Sequence, residues 1–62
     1  MSPYFVVIFK APGHATEGRV FSSQMEAFMW MFESRGYPGV SSIYPASTLD
    51  EANALLAVKL NE

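Results

Sequence analysis

The sequence predicts an α+β fold of order ββαβα: a three-stranded antiparallel sheet with strand order 2-1-3 and two helices, in one domain spanning residues 1–62. Three observations carry that expectation. The run YFVVIFK, residues 4–10, is rich in β-branched and aromatic side chains; two Ser/Thr-x-x-Glu boxes, at Ser23 and Thr48, each open a stretch with helical spacing; and glycine and proline punctuate the segments between.

Pro3 and the Ala11-Pro12-Gly13 stretch bound the first strand. Tyr4, Val6 and Ile8 share one of its faces and Phe5, Val7 and Phe9 the other, so the strand should be central and covered on both sides. APGHATEG, residues 11–18, is turn-forming, and Arg19-Val20-Phe21 is long enough for a short second strand that closes a hairpin. At Ser23-Gln24-Met25-Glu26 the serine hydroxyl can accept the backbone N–H three residues on, while the glutamate reaches back to the N–H of the cap residue. The first helix should start there and end at Arg35-Gly36, where glycine takes the left-handed conformation and Pro38 forbids continuation. GVSSIY, residues 39–44, alternates as a half-exposed strand before Pro45. The second box, Thr48-Leu49-Asp50-Glu51, opens a final helix with Leu49, Ala52, Leu55, Leu56 and Leu60 broadly on one side.

The strand order follows from handedness. A right-handed crossover from the second strand through the first helix makes strands two and three parallel, with a slot between them. The doubly apolar first strand fits that slot, antiparallel to both. One helix covers one face of it; the other face needs either the C-terminal helix or another molecule.

Size sharpens the question of what covers the apolar residues. A 62-residue domain buries only about 60% of the surface its unfolded chain exposes. The chain has no cysteine and a single histidine, so disulfide and metal staples are both expected to be absent, which leaves oligomerisation or partner binding. The formal charge is −2, with Lys10, Arg19, Arg35 and Lys59 spread along the chain, a pattern against a phosphate-binding stripe and a nucleic-acid partner. The apolar run Tyr4 to Phe9 is too short for a membrane span or a signal-peptide core, so the expectation is a cytoplasmic protein with no membrane partner.

The first helix holds more large apolar side chains than one face can use. At about 100° per residue, Met25, Phe28, Met29 and Phe32 fall within one arc, the width of a core-facing stripe. Met31 lies off its edge beside Ala27, and Trp30 lies almost opposite, so Trp30 should not reach the sheet. The plain reading is an aromatic resting on its neighbours or under the C-terminal helix. The sharper one is a protein-binding surface of Trp30, Met31 and Tyr37, in which each buried Trp or Met contributes on the order of 1.5–3 kcal/mol.

Residues suited to chemistry are few. His14, in the Pro12-Gly13-His14 turn near Glu17 and Arg19, could serve as a general base, but no second histidine, cysteine or paired acid supports it. No phosphate-loop or nucleophile-elbow pattern occurs, and Glu26, Asp50 and Glu51 are accounted for at helix starts. The early proline and the strand-helix unit resemble the small tautomerases similar to 4-oxalocrotonate tautomerase, which use an N-terminal proline as base. In Met1-Ser2-Pro3, methionine removal would expose Ser2 and leave Pro3 an amide, so the catalytic motif is missing. The expectation is therefore no catalytic, cofactor-binding or metal-binding residue. It is a non-enzymatic module that binds another protein, with the size and composition of the phage or mobile-element accessory proteins that inhibit host complexes by steric occlusion. Two alternatives stand beside it: a self-associating structural or accessory subunit, and a small enzyme using the His14/Glu17 loop.

Overall fold

The computed structural model describes residues 3–33 and 38–62. Its elements are β1 (Tyr4–Lys10), β2 (Glu17–Phe21), α1 (Gln24–Glu33), β3 (Val40–Ala46) and α2 (Leu49–Leu60). β1 is central, antiparallel to both neighbours, and the order is β2-β1-β3, as the crossover argument requires. Direct cross-strand partners share a face, so the register sorts the side chains into two layers. Val6 stands beside Val20 and Tyr44 and Ile8 beside Gly18 and Ser42; on the reverse, Phe5 stands beside Phe21 and Pro45 and Val7 beside Arg19 and Ile43.

Each face has its own helix. α2 lays Ala52, Leu55 and Leu56 on Val6, Ile8, Val20, Tyr44 and Ala46, so the C-terminal helix answers what covers that side of β1. α1 takes the reverse side, against β1 and β2, where Val7 and Ala27 have no exposed surface and Phe9 very little. The double covering explains why β1 is apolar at every position from Tyr4 to Phe9.

Local signals set the boundaries. Gly13, at φ 78°, supplies the left-handed residue of the Ala11–His14 turn, which closes with the His14 N–H donating to the Ala11 carbonyl at 3.2 Å. β2 starts at Glu17, two residues earlier than the sequence suggests. Gly18 belongs to the sheet because a Cβ there would overlap Leu56 Cδ1 and stand 2.8 Å from Ile8 Cδ1. β3 runs through Pro45 to Ala46 instead of stopping at Tyr44; on an edge strand a proline need not interrupt the ladder.

Both capping residues act. The Glu26 N–H donates to Ser23 Oγ at 3.4 Å and the Glu51 N–H to Thr48 Oγ1 at 3.1 Å. The Glu51 carboxylate reaches one residue further back than a standard box, accepting from the Ser47 N–H at 3.2 Å. At the other end of α2 the Lys59 ammonium lies 4.8 Å from the Tyr44 ring centre and 3.2 Å from Glu62 Oε2. The expected end of the first helix at Arg35-Gly36 lies outside the described residues.

The orientation of α1 corrects the sequence reading. Met25, Met29 and Phe32, expected on the sheet, point to solvent, Phe28 beside them keeps 39% of its surface exposed, and Ala27 points in. Trp30, expected to miss the sheet, lies half-buried with its ring 5.7 Å from that of Phe21. The physical reason lies in the size of Ala27 and the shortness of the link before it. A methyl group lets the helix approach the sheet closely, with the half-buried Trp30 and Met31 on either flank of Ala27 and the Trp30 ring on Phe21. Only Ser22 and Ser23 separate β2 from α1, and the Ser23 cap holds the first turn, which limits how far the helix can rotate about its axis.

Candidate protein-interaction face

The outward stripe of α1 is built by helical periodicity alone. Met25, Phe28, Met29 and Phe32 sit at i, i+3, i+4 and i+7, centred about 150° round the helix from Ala27. Their exposures are 72%, 39%, 59% and 84%. At roughly 200 Å² for a large side chain these leave about 500 Å² of apolar surface in one strip, at the upper end of the patches that monomers carry. Most of the helix's bulk apolar surface is therefore in water, and its one fully buried residue is an alanine.

A groove runs along one margin of the strip. Arg19 and Phe21 of β2 and Glu26, Met29, Trp30 and Glu33 of α1 line about 290 Å³. Its floor is aromatic: the Arg19 guanidinium carbon lies 5.6 Å from the Phe21 ring centre, and the Phe21 and Trp30 rings meet at 53°. Met29 belongs both to the groove and to the strip, so Trp30 borders the outward face through its neighbour. Two carboxylates and one guanidinium give the margin mixed charge, while the strip itself has none.

Of the three residues expected to form a binding surface, Trp30 and Met31 are half-buried and straddle Ala27, about 100° apart around the helix. Tyr37 lies outside the described residues. The four outward residues were visible in the sequence as a stripe but were assigned to the core, because periodicity gives the width of an apolar arc and not the direction it faces. His14 is exposed in its turn and Glu17 opens β2. Among the described residues no group of three His, Cys, Asp or Glu side chains could hold a metal ion, and no helix is long and apolar enough to cross a membrane. Comparison with protein-family models, curated proteins and solved structures gave no match to this chain.

Proposed function

We propose that this chain is a non-enzymatic protein-interaction module that docks through the outward face of α1. Met25, Phe28, Met29 and Phe32 are its anchors, and Trp30, in the groove beside Met29, is its rim. The observation that carries the reading is the exposure of these four large apolar side chains on a helix that turns an alanine inward. A strip of this kind costs solubility while bare, and each Phe or Met withdrawn from water by a partner contributes about 1.5–3 kcal/mol. The flexible thioethers fit themselves to a partner's contour, and the flat rings supply area at little loss of rotamer freedom. A module of this size acts on what it binds by covering a surface.

The test is affinity capture with the tagged chain, alongside Phe32→Glu and Met25→Glu. Both positions are exposed, so the far-UV spectra of the variants should match that of the unaltered chain. Loss of the captured species, whether a different protein or further copies of this one, is the expected result. Equal capture by all three proteins would overturn the assignment of this face.

A further inference from the structure

We infer that the occupant of the outward α1 face is the same face of a second copy, packed antiparallel about a two-fold axis that passes between Phe28 and Met29. The inference rests on the reading of this face as a docking surface and names what fills it. It starts from the order of side chains along the strip: Met25, Phe28, Met29, Phe32. An isologous pair sets residue i against j and j against i. Two such helices, antiparallel and centred between positions 28 and 29, bring Met25 level with position 32 of the other copy and Phe28 level with position 29. Every methionine then meets a phenylalanine. A parallel pair would set like on like, Met25 on Met25 and Phe32 on Phe32.

The mixed arrangement is the favourable one. A thioether against an aromatic ring is an attractive contact, and methionine can bend to the shape of a rigid ring. The spacing i, i+3, i+4, i+7 makes one continuous packing face about 100° wide, wide enough to seat a second helix, and no charged residue interrupts it. The area suits a weak pair: complete burial of about 500 Å² on each copy makes about 1,000 Å² for the pair, at the low end of specific interfaces. α1 forms the outer layer on its side of the sheet, with α2 on the opposite face, so a second copy reaches the strip without meeting α2. For a chain without cysteine, association supplies the support that a small core lacks.

Sedimentation equilibrium from about 1 µM to about 1 mM tests the pairing, since weak isologous dimers dissociate within that range. The expected result is a mass that rises from one chain to two, with the dissociation constant raised roughly 100-fold or more by Phe32→Glu, which places two carboxylates in each pair. Orientation is read by mixing Met25→Cys and Phe32→Cys single variants under mild oxidation. Antiparallel packing predicts that the mixed disulfide predominates, and predominance of the two like disulfides would overturn the geometry. A mass of one chain throughout the range overturns self-pairing. If Phe32→Glu then still abolished capture of a different protein, the docking face would stand with another occupant; if it left capture intact, the face itself would fall.

Discussion

Replacing Phe32 by alanine separates the two possible orientations of α1 by several kcal/mol. Were Phe32 on the sheet, where the size of its stripe would put it, truncation would open a cavity and cost about 3–5 kcal/mol. That is a large share of the stability of so small a domain. In the structure Phe32 is 84% exposed, so of roughly 200 Å² only about 30 Å² is withdrawn from water, worth about 0.8 kcal/mol. Alanine recovers about 0.5 kcal/mol of this through its better helix propensity. The net loss should therefore stay below about 0.5 kcal/mol. Trp30→Ala is the internal comparison: half-buried and packed on Phe21, it should cost about 2–3 kcal/mol. Urea unfolding followed by far-UV circular dichroism measures both, at two protein concentrations so that any contribution of association is seen as a concentration dependence. A loss above about 2 kcal/mol for Phe32→Ala, exceeding that of Trp30→Ala, would refute the orientation.

Two further outcomes are expected. Gly18→Ala should cost about 1 kcal/mol of stability, read as a lower urea midpoint: the backbone there is not left-handed and alanine restricts the unfolded chain, but the added methyl overlaps Leu56 and crowds Ile8. Thr48→Ala should cost about 1 kcal/mol by removing the acceptor of the Glu51 N–H, and Thr48→Ser should restore most of it in the same unfolding assay.

Much of the fold is legible in the sequence because its signals are local and redundant. YFVVIFK can only be a strand covered on both sides, and Ser23 and Thr48 cap the helices they announce. Where the reading fell short, a residue's role depended on an element distant in sequence. Glu17 and Gly18 read as loop because glycine weakens a strand, and the reason for Gly18 lies in α2, where Leu56 and Leu60 pack over it. Pro45 reads as a stop, yet it is tolerated because β3 is an edge. The rotation of α1 is the deepest case. Its apolar residues occupy two arcs, and hydrophobic periodicity favours the arc with the larger side chains. The packing instead uses the smallest, Ala27, which lets the helix lie close on β1 at the end of a two-residue link from β2. The strip was therefore visible from the start, with its direction reversed.

During synthesis β1 leaves the ribosome before either strand that flanks it. β2 follows soon enough to pair as a hairpin, but a two-stranded hairpin is at best marginally stable in water. The other edge of β1 waits for β3, more than thirty residues later, and its Val6/Ile8 side waits for Ala52, Leu55 and Leu56 of α2. The most apolar strand is thus made well before the elements that enclose it, the condition under which a nascent chain engages chaperones or adheres to its neighbours on a polysome. Enclosure of the Val6/Ile8 side of β1 therefore requires α2, and the elements before it leave that side in water.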